Sequence, residues 1–176
     1  MARRSEAPRP RRTRNPVGSP FATDFFGVTP DLVTTAKGLT SGYFPLSAAV
    51  ISEEIWSVIE AATPDVGIFA HGFTYTGHPV GAAVAMANLD IIEREDLVGN
   101  AARVGPYFHE RMRSAIGDHP HVGEIRGEGL IMAVELVKDR SSKQGFDLEL
   151  GMSKKVVAQA AEEGLIARAM PTGHSV

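Results

Sequence analysis

Lys37 stands in TTAKGLTSGYFP, residues 34–45, among small and apolar residues with Gly38 directly behind it. A lysine amine is strongly hydrated, and burial or cationic neighbours favour its uncharged, nucleophilic form. Either Lys37 is a surface residue in a turn, or it is an amine kept reactive. Asp31-Leu32-Val33 reads as a short strand leading into Thr34–Gly38. A lysine just past a strand's carboxyl end lies where α/β folds bind ligands. Tiny neighbours leave room for a planar ring beside the amine. About 37 residues later, FTYTGHP offers hydroxyls and backbone N–H groups next to a predicted helix N-terminus, a suitable seat for phosphate. An amine able to form an imine, together with an anion seat, is the equipment for holding pyridoxal phosphate.

Other constellations are weaker. His71 and His78 are seven apart in a glycine-rich loop, and His119 and His121 flank Pro120, but neither pair has a carboxylate at a recognised ligand spacing. His109, in HERMR, lacks a second histidine four residues on. No metal site is therefore expected. The sequence contains no P-loop and no G-x-G-x-x-G, and neither Ser47 nor Ser52 sits in a nucleophile elbow. With no cysteines, thiolate catalysis, disulfides and thiolate metal sites are excluded.

The elements that must position these groups follow from periodicity. FPLSAAVIS, residues 44–52, is short and apolar and predicts a buried strand. SEEIWSVIEAA predicts a helix with Ser52 as N-cap and acids in its first turn. Pro79 suits the first turn of PVGAAVAMANLDIIERE, a helix apolar nearly all round until Asp90 and so expected to be largely buried. From Leu97 onward, Leu97, Ala101, Val104, Phe108, Met112 and Ile116 recur on one helical face, with Pro106 expected to bend or break it. HVGEIRGEGLIMAVELVKD predicts two strands around the RGEG turn. GMSKKVVAQAAEEGLIARAMP predicts a helix ending at Gly164, then a short strand. TGHSV follows with no closing element. The expected division is the end of an α/β domain over residues 18–95 and an incomplete small α+β domain over residues 96–176.

DLVTTAKGLTSGYFPLSAAVIS and FAHGFTYTGHPVGAA together resemble the class III pyridoxal-phosphate-dependent aminotransferases, most closely the ω-transaminase or amine–pyruvate branch. RGEGLIMAVELV and EEGLIARAMP resemble the small domain of the same family, so the likeness runs from about Gly18 to Met170. The resemblance implies fold type I, a homodimer or higher assembly, and an active site built across the dimer interface. It makes Lys37 the Schiff-base lysine, whose freed amine then carries a proton between substrate and cofactor. It makes Thr74 the threonine that holds the cofactor phosphate of the neighbouring subunit, with Phe73 lining that pocket. Arg168 becomes the mobile arginine that pairs with a substrate carboxylate, a role suited to a planar guanidinium. The implied activity is transfer of an amino group from an amine or amino acid to a keto acid.

The departures from the family pattern lie at the ends. The family's large domain begins well over a hundred residues earlier, and that part carries a glycine/serine phosphate loop, a ring-stacking aromatic and an aspartate that pairs with the pyridine nitrogen. Shortly before Gly18, where that aspartate is expected, this chain has RRTRNPV. An internal fragment is the expectation, binding pyridoxal phosphate weakly and turning over negligibly. The alternative is a non-catalytic binding or assembly module derived from an aminotransferase; an aminomutase or a decarboxylating relative would share the lysine.

Charge bears on partners. Six of the 18 basic residues and one of the 21 acids lie in residues 1–14, leaving 12 basic and 20 acidic residues, net −8, in the rest. The body is thus expected to repel nucleic acid. Residues 1–17, rich in proline and arginine without an apolar face, predict a disordered basic tail rather than a targeting peptide. No apolar run is long enough to span a bilayer, and a cytoplasmic location is expected.

Overall fold

The computed structural model describes residues 18–176; the expected tail, residues 1–17, lies outside them. The chain divides into two compact units between Asn100 and Ala101.

In the first unit a short helix, α1 (Ala22–Phe26), precedes two strands, β1 (Leu32–Thr35) and β2 (Ala48–Ile51), which pair antiparallel with Val33 opposite Val50 and Thr35 opposite Ala48. A 3-10 turn, Lys37–Leu39, begins two residues beyond β1. Helix α2 (Glu53–Val66) starts as the sequence predicts: Ser52 Oγ accepts from the Ile55 N–H at 3.4 Å, and Glu53 and Glu54 occupy the positive end of the helix dipole. It extends past Pro64, further than the expected stretch. Helix α3 (Pro79–Arg94) carries its proline at the first turn, where a missing N–H costs nothing.

Two burial expectations fail here. The β2 strand is mostly exposed, with Val50 57% accessible, because β1 is its single neighbour and no layer covers the pair among the described residues. In α3 only Gly81, Ala85 and Ile92 are buried, a single stripe at helical spacing, although the sequence is apolar on several faces. Composition reveals how much of a helix can be covered, not what covers it.

The second unit begins within helix α4 (Leu97–Ile116), which runs unbroken through Pro106. Its buried stripe is Ala101, Gly105 and His109, one residue on from the expected Val104 and Phe108. The shift has a steric cause: a Cβ on Gly105 would meet the Gly129 Cα at 2.6 Å, so the helix turns its glycine toward the RGEG loop and leaves Val104 outside. Strands β3 (Val122–Arg126) and β4 (Ala133–Leu136) form the expected hairpin, with an irregularity between Val122 and Glu124. Val122, Val134 and Leu136 form the core, with Met112, Ile116, Phe146 and Met152 packed on it. Helix α5 (Met152–Glu162) ends just before Gly164, whose φ of 85° suits glycine.

No strand forms in LIARAMP. TGHSV, expected to follow without a closing element, instead bridges to β4, Ser175 opposite Glu135: the Val134 N–H donates to the Val176 carbonyl at 2.8 Å, and the Leu136 N–H to the His174 carbonyl at 2.7 Å. TGHSV thus closes the edge of β4. Among the described residues no helix is long and apolar enough to cross a membrane, and no group of three or more His, Asp or Glu side chains could hold a metal ion.

Candidate active site

Lys37 is carried at the start of the 3-10 turn, and its φ of 48° lies in the left-handed region. L-residues avoid this region because Cβ crowds the backbone, and non-glycine residues held there cluster at functional sites. Its flanks are small, and Lys37 is exposed rather than buried. It is also the only lysine before Lys138.

A cleft of about 700 Å³ opens beside it. One wall is the β1–β2 ribbon, through Thr34, Thr35, Ala48 and Ala49; the other is the loop from His71 to Phe73, with Thr76. Ser47 adds a further hydroxyl. Among the described residues no carboxylate lines the cleft, so an anion entering it meets an amine, hydroxyls and an imidazole. The loop is pinned locally: the Phe73 N–H donates to Thr76 Oγ1 at 2.9 Å, and the Thr76 N–H returns a bond to the Phe73 carbonyl at 2.9 Å.

Of the residues singled out from sequence, Lys37 and Phe73 share this cleft. Thr74 does not line it; its side chain is exposed and has no hydrogen-bond partner among the described residues. Arg168 is an exposed residue of the second unit, in the irregular stretch after α5.

The sequence reading missed Asn88. Its carboxamide reaches from α3 to the lysine turn, Nδ2 donating to the Gly38 carbonyl at 2.8 Å and to the Leu39 carbonyl at 3.1 Å. The Ser41 hydroxyl donates to its Oδ1 at 2.7 Å. A signal was present: Asn88 is the first polar side chain after the helix's opening proline, in a run otherwise made of apolar and small residues. The loop is held at a second point, where Thr40, almost fully buried, donates through Oγ1 to the Phe44 carbonyl at 2.6 Å.

Comparison with known proteins agrees with these motifs. A model of the family described as "Aminotransferase class-III" matches residues 16–175. The diaminobutyrate–2-oxoglutarate transaminase of Halomonas elongata is 48% identical over 156 residues, covering 89% of this chain and 33% of that protein. Gamma aminobutyrate transaminase 1, mitochondrial, of Solanum lycopersicum is 40% identical over 152 residues, covering 86% of this chain and 29% of its own. Among solved structures, the pyridoxamine-phosphate (PMP)-bound form of an aminotransferase from Vibrio fluvialis superposes with a TM-score of 0.83 at 38% identity, covering 90% of this chain and 34% of that one. The chain spans about a third of the length of the relatives it matches.

Proposed function

We propose, from the premise that this chain belongs to the class-III aminotransferase family, that it carries the lysine-bearing portion of a pyridoxal-phosphate-dependent aminotransferase site. The fold agrees with that premise: its solved neighbours are transaminases of fold type I, and the chain mixes helix and sheet as an incomplete part of such a fold. The reaction proposed is transfer of an amino group from an amine or amino acid to a keto acid. The observation that carries the reading is Lys37, a strained-backbone lysine beside a carboxylate-free cleft lined by hydroxyls.

The residues present fit pyridoxal phosphate. Lys37 would supply an amine for its aldehyde, Thr34, Thr35, Ser47 and Thr76 would offer hydroxyls, and no carboxylate among the described residues lining the cleft opposes a phosphate charge. When bound, the cofactor supplies an electron sink for the bond-breaking at the substrate's α-carbon. The chain's own work is then positional and acid–base. With the cofactor bound, the Lys37 Nζ would hold it through the aldehyde and, when free, would serve as the base that moves the substrate's α-proton. Phe73 lines one side of the cleft.

The assignment of Thr74 to the phosphate of a partner subunit belongs to the same proposal. It is supported by a side chain that stands exposed without a hydrogen-bond partner among the described residues, next to the cleft-lining Phe73. Arg168 is proposed as the carboxylate-pairing arginine on the likeness of GLIARAMP to the family; its exposure leaves the guanidinium available. The assembly proposed is a homodimer of the whole protein. The large-domain and small-domain portions are proposed as residues 18–95 and 96–176.

An absorbance scan after adding pyridoxal phosphate, repeated with Lys37→Ala, tests the reading. The unsubstituted chain is expected to develop a new visible band that Lys37→Ala lacks. The same spectrum from both chains would refute it.

A further inference from the structure

We infer that Asn88 is a positioning residue for Lys37, its carboxamide fixing the turn that presents the amine to the cleft. The inference rests on the reading of Lys37 as the cofactor-binding lysine, but its geometry stands apart from it. Lys37–Leu39 is a single 3-10 turn, too short to hold itself. Its own bonds use the Ala36 and Lys37 carbonyls, which accept from the Leu39 and Thr40 N–H groups at 3.2 Å each. The next two carbonyls, of Gly38 and Leu39, accept from the Asn88 Nδ2, and Ser41 Oγ donates to its oxygen. Three of the four hydrogen bonds a carboxamide can make thus converge on four consecutive residues beside Lys37. The pattern also fixes the amide's orientation, since the reversed form would set Oδ1 against two carbonyl oxygens.

This connection is long-range, joining positions 47 to 50 apart in sequence. It is needed because both Lys37 and Ser41 hold positive φ, at 48° and 51°, a backbone that relaxes unless its surroundings over-determine it. Asparagine is a poor choice inside a helix on propensity alone, so its place in α3 has to be accounted for by what its side chain does. Release of this clamp leaves the amine on a turn free to leave the left-handed region, and so misaims it while the rest of the unit stays folded.

The test uses the full chain with three measurements. Asn88→Asp keeps an acceptor for Ser41 but replaces the two donors with an oxygen facing two carbonyls. In the cofactor-free protein, amide hydrogen exchange over residues 38–43 is expected to accelerate about 10-fold, as loss of two hydrogen bonds implies, with α2 and β3–β4 changing less than about twofold. With pyridoxal phosphate added, borohydride-trapped label at Lys37 is expected to form several-fold more slowly. A thermal melt records global stability. Unchanged exchange over 38–43, or equal acceleration throughout the first unit, overturns the inference. Ser41→Ala, a milder change that removes one of the three bonds, is expected to accelerate exchange over 38–43 about threefold. It decides the matter should Asn88→Asp fail to fold, and no local acceleration in it would likewise overturn the inference. If the unsubstituted chain takes no label at Lys37, the functional reading falls, whereas the exchange data still judge Asn88 by themselves.

Discussion

The Phe44 ring lies against the backbone of Gly81: a Cβ on that glycine would fall 2.8 Å from Phe44 Cε1 and 2.9 Å from Cδ1. The contact ties the far end of the lysine loop to α3, while Asn88 ties its near end. The ring also stands against His78, with centroids 5.1 Å apart. Gly81→Val forces this space open. Leaving glycine recovers a few tenths of a kcal/mol of helix propensity, whereas overpacking costs about 1–3 kcal/mol. A net loss of about 2 kcal/mol is expected in thermal or denaturant unfolding. A variant as stable as the parent would show that the loop moves freely on α3.

The left-handed backbone of Lys37 separates two substitutions that otherwise remove the same amine. Lys37→Ala retains a Cβ at a φ of 48°, and Lys37→Gly does not. The strain of an L-residue there is about 1–2 kcal/mol, partly offset by the extra unfolded-state freedom of glycine. Lys37→Gly is therefore expected to be more stable than Lys37→Ala by about 1 kcal/mol or less, measured by denaturant midpoint at equal slope. The reverse order would place Lys37 outside the left-handed region.

Asp139 sets an acid limit on the turn after β4. Hydrogen bonds from the Ser142 side chain, then from the Ser141 N–H and hydroxyl, hold its pKa down from 3.8 to about 2. A carboxyl whose folded pKa is depressed stabilises the turn fully above its unfolded value. That contribution fades as pH falls from about 4 through 2, where the unfolded chain binds the proton first. Titrating the Asp139 carboxyl by NMR is expected to give a midpoint near 2, shifted back toward 3.8 in a Ser141→Ala/Ser142→Ala double variant. A midpoint unaffected by those changes would contradict the assignment.

Local chemistry was legible from the sequence wherever partners lie close along the chain. Ser52 capping α2, Pro79 opening α3, Gly164 following α5 and the RGEG hairpin depend on neighbours within a few positions, and each appears as read. Features set by distant packing were not legible. Val104 and Phe108 gave way to Gly105 and His109 on the buried face of α4 because Gly129, in a later loop, requires close approach. His174–Val176 joined β4 because that edge had unpaired carbonyl and N–H groups to offer, which no periodicity in TGHSV announces. At the site, Lys37 stood out by its surroundings and Phe73 by its motif. Asn88 acts across some fifty residues, and a lone carboxamide in an apolar helical run does not show what it reaches.

Chemical trapping tests whether Lys37 carries the cofactor-binding amine. The chain has four other lysines, Lys138, Lys143, Lys154 and Lys155, all after residue 137, so a labelled lysine side chain in the first hundred residues can only be Lys37. Pyridoxal phosphate is added at equimolar concentration, reduced with borohydride, and the adduct located by peptide mass spectrometry. Label is expected to concentrate on Lys37 and to be lost when an excess of the cofactor's non-aldehyde amine form competes for the cleft. Label spread over the five lysines, or absent from Lys37, would contradict it.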